Sequence, residues 1–229
     1  MVPLRSEFGP TRMGRESAMR LGLVGGLMVV GACGLFVVVG IIAATGGSVG
    51  LGSPDLGSTN PGDLVLAVAL GLAGIGMGLI GLSGPSPLNG RSIRLGLGLL
   101  SVGLLSSTVS AAISSTLTYD PLENGPAVVS FLVGGLGLLV GGLLSLIGLL
   151  RAPGRPRRTA AFFLAGLLLA VVAGGLVNSV FAYTSMDTPA LHQVGGFVAL
   201  IGGGLMLVAF ARVGLMAIDA GRQMTPRPA

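Results

Sequence analysis

Residues 91–158 read RSIRLGLGLLSVGLLSSTVSAAISSTLTYDPLENGPAVVSFLVGGLGLLVGGLLSLIGLLRAPGRPRR. Arg91 and Arg94 open the stretch, and an uncharged apolar run over 95–118 follows. Asp120 and Glu123 fall in the next gap, a second apolar run returns over 127–150, and Arg151, Arg155, Arg157 and Arg158 close it. A hydrocarbon core about 30 Å thick needs roughly 20 apolar residues in a helix, so each run is long enough to cross. The stretch therefore predicts a helical hairpin with arginines at one membrane face and acids at the other.

The same alternation extends through the whole chain. Six apolar runs, 21–44, 64–83, 95–118, 127–150, 159–183 and 194–216, are separated by gaps in which arginine-bearing and acid-bearing segments alternate. Hydrophobic residues make up 52% of the 229, charged residues 9%, and mean hydropathy is +0.92, a balance that excludes an ordinary soluble domain. Lipid offers no partner to a free backbone N–H or C=O, so only helices or closed barrels span it. Barrel strands would show alternation over about ten residues, and the continuous Leu, Val, Gly and Ala runs do not. The expected fold is an all-α integral membrane protein: a six-helix transmembrane bundle of three hairpins over 21–216, with a segment 1–20 before it and a tail 217–229 after it.

Short loops rich in Lys or Arg stay on the cytoplasmic side. All thirteen basic residues are arginines. They precede the first run (Arg5, Arg12, Arg15, Arg20), fill the second and fourth gaps, or lie at the C-terminal end (Arg212, Arg222, Arg227). The first, third and fifth gaps hold Asp55, Asp63, Asp120, Glu123, Asp187 and the single histidine, His192, with no basic residue. Both termini are then expected in the cytoplasm, as an even number of crossings requires. A cleaved signal peptide is disfavoured, because its apolar core spans roughly 7 to 15 residues and 21–44 exceeds that.

The net charge of +5 and pI near 11.0 suggest nucleic acid at first sight. The arginines are spread over four membrane-flanking segments instead of one basic face, so nucleic acid is not the expected partner. Anionic lipid headgroups beside the arginine-bearing helix ends are. The lone Cys33 falls inside the first run, cannot form an intramolecular disulfide, and reads as a small packing residue.

Weak self-similarity links the hairpins. Arg20-Leu21-Gly22-Leu23 recurs as Arg94-Leu95-Gly96-Leu97; Tyr119 and Tyr183 stand equally far beyond Arg94 and Arg158; Val133-Gly134-Gly135 and Val194-Gly195-Gly196 stand equally far before Arg151 and Arg212. Either three hairpins of common plan or the compositional likeness of any Leu/Gly/Val/Ala hairpin accounts for this. Glycine contributes 42 residues, well above the usual share of about 7%. Helices in lipid associate by close packing of small residues, and Gly22/Gly26, Gly74/Gly78 and Gly137/Gly141 have the required spacing. Gly202, Gly203 and Gly204 mark either a close crossing or a locally weakened helix. Glycine-rich faces not used within one bundle would suit a membrane-protein partner or a second copy of the chain.

One helix carries a coherent polar face. Gly103, Ser107, Ser110, Ser114 and Thr118 fall within about 80° of one another at 100° per residue. They can line a polar solute path, or they can bond their own i−4 carbonyls and pack against a neighbour, which is the preferred reading. Asn178 is the other polar candidate at depth, with an interhelical bridge as its expected role. Asp120, Glu123, Asp187 and His192 can form a weak outer cation site if their hairpins are adjacent; solvated loop charge is the preferred account.

Ion-coupled transporters place ionisable groups within the membrane. Here the nearest is Arg212, read as one turn from a helix end and able to snorkel. No catalytic, cofactor or metal motif is present, so neither enzyme chemistry nor a bound cofactor is expected. Two function classes remain: a non-enzymatic accessory, assembly or interaction protein, and a small permease or channel for an uncharged or weakly polar solute.

Overall fold

The computed structural model of the chain describes residues 12–44, 61–116, 125–166, 168–169 and 189–223. Six helices run through them: α1 (Arg12–Ala44), α2 (Pro61–Ser83), α3 (Arg91–Thr116), α4 (Gly125–Arg151), α5 (155–166) and α6 (Pro189–Gln223). There is no strand among the described residues. Five segments are long and apolar enough to cross a membrane: Glu16–Ile42, Leu64–Ser83, Arg91–Val109, Leu132–Arg151 and Ile201–Gln223. The chain is an all-helical, multi-pass membrane protein. The expected fifth crossing, 159–183, is described only in its first part.

Several helix ends differ from those expected of the apolar runs. α1 starts at Arg12 instead of 21, and α6 runs from Pro189 to Gln223 instead of from 194 to 216. At about 1.5 Å per residue these two helices exceed 45 Å, well beyond a core of about 30 Å. An apolar run marks only the part of a helix that lies in hydrocarbon. Arg, Glu, Met and Ala are good helix formers, so both helices continue past the apolar run into the interface. Residues 217–223 thus belong to α6, and His192 lies in its first turns instead of in a loop. α3 is described as far as Thr116, and residues 117 and 118 of the expected run lie outside the described residues.

Proline and glycine place the boundaries. Pro61 and Pro189 open α2 and α6, and Pro126 and Pro156 sit one residue inside α4 and α5, where a missing N–H costs nothing. α2 ends at Ser83, after which Gly84 takes φ +52° and donates its N–H to the Ile80 carbonyl at 2.9 Å. This is a left-handed cap of the kind glycine supplies without a Cβ clash. Arg94 of α3 then turns back: its Nε donates to the Gly81 carbonyl at 3.0 Å and its Nη2 to the Leu82 carbonyl at 3.3 Å. Two orphan carbonyls at the end of α2 are satisfied in this way. Between α4 and α5 the chain reverses at 152–154, with Gly154 at φ +81°.

The helices form a closed ring in which each packs antiparallel against its neighbours in sequence, and α6 returns to α1. Glycine makes the contacts. Gly25 of α1 lies against Gly76 of α2, and Gly78 and Gly81 of α2 lie against Ser101 and Leu97 of α3. Gly96 and Gly103 of α3 meet Gly141 and Gly137 of α4. Gly142 meets Phe163 of α5, Gly166 meets Gly202 of α6, and Gly26 meets Gly214 across the α1/α6 seam. All three small-residue pairs read from the sequence are spent on such contacts. The repeated Arg-Leu-Gly-Leu segments also behave alike: Gly22 faces Ser83 of α2, and Gly96 faces Ser145 of α4. Large apolar side chains such as Leu64, Leu82 and Leu136 point outward, more than half exposed, as lipid-facing residues do.

A Cβ on Gly103 would lie 2.6 Å from the Leu138 nitrogen and 2.8 Å from the Gly137 carbonyl carbon, whereas one on Gly135 meets nothing within 4 Å. Alanine favours helix by about 1 kcal/mol over glycine, but overpacking costs about 1–3 kcal/mol. Gly103→Ala is therefore expected to lower the melting temperature of the purified protein and Gly135→Ala to leave it equal or higher. Thermal unfolding in one detergent checks both, and a stabilised Gly103→Ala would contradict the packing.

Candidate functional site

A solute path within the ring itself would run along its middle. Side chains from five helices fill that space: Met77 of α2, Leu97 and Leu100 of α3, Leu149 of α4, Phe163 of α5 and Val213 of α6. Between them lies a void of about 10 Å³ with apolar walls. A single water needs about that much room. Met77 is fully buried, and Phe163 stacks in a tilted arrangement on Phe210 with ring centroids 6.0 Å apart.

The hydroxyls near this centre bond locally. Ser107 Oγ donates to the Gly103 carbonyl at 2.9 Å, and Thr108 Oγ1 donates to the Leu104 carbonyl at 2.9 Å. Ser107 faces Gly134 of α4, on the α3/α4 seam and away from the void. Ser110 and Ser114 lie in α3, but their side chains are outside the described residues, as are Thr118 and Asn178. Two side chains that the polar-face reading did not select do border the void: Ser145 and Thr159. Thr159 Oγ1 donates to the Arg155 carbonyl at 3.3 Å. Ser145 Oγ is buried without a hydrogen-bond partner among the described residues and abuts Gly96. Neither stood out in the sequence, because a single Ser or Thr in an apolar run has no periodicity.

Of the outer acidic group, Asp120, Glu123 and Asp187 fall outside the described residues, as does the His192 side chain. The arginine-bearing end is better defined. Arg20, Arg91, Arg94, Arg151, Arg155, Arg157, Arg158 and Arg222 are exposed there. Arg155 Nη1 pairs with Asp219 Oδ2 of α6 at 3.6 Å, a contact between largely exposed side chains. Arg212 lies four residues before the end of the apolar run 194–216, about 6 Å along the axis, and α6 continues beyond it to Gln223. It is half-buried, with its guanidinium carbon 5.3 Å from the centre of the Phe162 ring, within cation–π range. Cys33 is half-buried on the α1/α6 seam, its thiol directed at the Leu207 carbonyl at 3.6 Å.

No protein family, curated protein or solved structure matches the chain.

The geometry of the two serines generates a paired expectation. Ser145→Ala removes a buried hydroxyl that gains no bond within the described structure, which relieves an unpaired polar group. Ser107→Ala removes a bond that its helix makes only to itself. Both variants should keep the parental melting temperature, or exceed it for Ser145→Ala. A clear drop in either would show that its hydroxyl holds a partner helix.

Proposed function

We propose that the protein is a six-span, non-enzymatic membrane protein with both termini in the cytoplasm, acting as an accessory, assembly or interaction subunit and not as a permease. The observation that carries this reading is the packing among the described residues of α2 to α6, where Met77, Leu97, Leu100, Leu149, Phe163 and Val213 surround an apolar void of about 10 Å³, too small for a solute larger than water.

The count of six is supported by the sense of the helices. α4 and α6 run in the same direction, since α4 is antiparallel to α3 and α6 is antiparallel to α1. A further crossing between Arg151 and Pro189 fits this sense, and α5 starts at the arginine-bearing end. The orientation is supported by the arginine distribution. The interaction role draws on glycines left open after the ring has closed: Gly31 and Gly34 of α1 and Gly204 of α6 are exposed and meet nothing within 4 Å. A second helix can approach such positions closely.

Single cysteines at Asn60, Gly90 and Pro153 in a Cys33→Ala background test the topology; Pro153 is preferred to Gly154, whose φ of +81° disfavours a side chain. Only the Asn60 position should react with an impermeant maleimide in intact cells, and labelling at Gly90 or Pro153 would overturn the orientation. For the role, the protein reconstituted in liposomes should leave glycerol and urea fluxes at the level of protein-free vesicles. Flux proportional to protein content would establish the permease alternative instead.

A further inference from the structure

α5 and α6 meet along a ladder whose register is fixed by two contacts. Arg155 pairs with Asp219 at 3.6 Å, and Phe162 lies under Arg212 at 5.3 Å. The members of each helix are seven residues apart, so they share a face of their own helix. Between the two rungs stand Arg158 of α5 and Leu215 of α6, both exposed. The groove thus presents three guanidinium groups against one carboxylate. Asp219 is occupied by Arg155, and neither Arg158 nor Arg212 has a carboxylate within ion-pair distance among the described residues.

The partial burial of Arg212 is what calls for a ligand. It sits about 10 Å along the axis from Asp219, within the apolar span Ile201–Gln223 and half-buried. A guanidinium carries five N–H donors. The Phe162 ring balances part of its charge but accepts none of these bonds in the plane of the group. Near the edge of the hydrocarbon and half-buried, such a cation is costly unless an acceptor reaches it. Arg158 projects from the intervening turn of α5, so both guanidinium groups can converge on one anion. A phosphodiester, with its fork of oxygens, matches them. Toward the middle of the span the same side of α6 exposes Val208 and Ile201, an apolar track beside the charged rungs.

We propose that the α5/α6 groove, through Arg158 and Arg212, binds the phosphate of an anionic phospholipid, with Leu215, Val208 and Ile201 against an acyl chain. Phospholipid is the phosphate source because the groove opens to the membrane and couples an anion site directly to apolar surface; basic pockets between membrane helices bind headgroups in this manner. The proposal holds whether or not the bundle passes a solute, and requires only that α5 and α6 lie in a bilayer.

Native mass spectrometry of the purified full-length protein, titrated with phosphatidylglycerol or phosphatidylcholine, tests it. Phosphatidylglycerol should be retained preferentially. Arg158→Gln and Arg212→Gln should each weaken its binding about fivefold, while Arg91→Gln, on α3 across the ring, should leave it unchanged. Equal retention of both lipids, parental affinity in Arg158→Gln, or an equal loss in Arg91→Gln would overturn the site in favour of general surface charge. Arg158 is exposed and its substitution leaves the core untouched, so that variant decides the matter even if Arg212→Gln fails to fold. Resistance of the membrane-bound protein to alkaline extraction reports separately on its integration.

Discussion

Direct contact between helix backbones, made possible by glycine, is the constraint on which the structure depends. In lipid no hydrophobic force draws one apolar helix to another, because hydrocarbon surrounds both equally well. Attraction must come from dispersion at short range, which is weak per atom pair and fades within an ångström of optimal separation. Gly25 against Gly76, Gly103 against Gly137 and Gly26 against Gly214 bring backbones together with no side chain between them. The antiparallel α1/α6 seam closes the ring, and closure in turn leaves a middle narrow enough for Met77, Leu100 and Phe163 to fill.

Charge is arranged around this packing. Arg94 satisfies the last carbonyls of α2, so one arginine of the second gap has a structural task as well as a topological one. Arg155 reaches Asp219, linking the start of α5 to the end of α6. Arg212 lies deeper and rests on Phe162. An aromatic face is one of the few partners an apolar helix bundle can offer a cation without spending a buried carboxylate. The functional proposals rest on these two features together: close packing around Met77, Leu100 and Phe163 among the described residues, and a charged rim and groove at the arginine-bearing end.

Much of the helical plan was legible in the sequence because hydropathy and length act locally. The end of α2 at Ser83 follows from the Gly84 and Pro85 that come after it, and α4 spans nearly the predicted run. The ends of α1 and α6 were not legible, since helix propensity continues past the membrane boundary and the apolar run does not record it. The polar face read on α3 rests on periodicity, which gives a direction around the helix axis and not the neighbour that occupies it. Ser107 turned out to face Gly134 on the α4 seam. Ser145 and Thr159 beside the void carried no signal at all, because their significance comes from being brought together by α4 and α5.

Sequence by itself determined that the chain is an apolar, multi-pass helical protein with arginines gathered at one set of helix ends, because crossing length, backbone satisfaction and charge cost are properties of each segment alone. Tertiary structure decided which helices touch, that α6 returns to α1, that Met77, Leu100 and Phe163 come together between the helices, and that Arg212 meets Phe162. Those outcomes depend on which glycine faces which across a seam, and a pairwise fit between separate helices is written in neither helix alone.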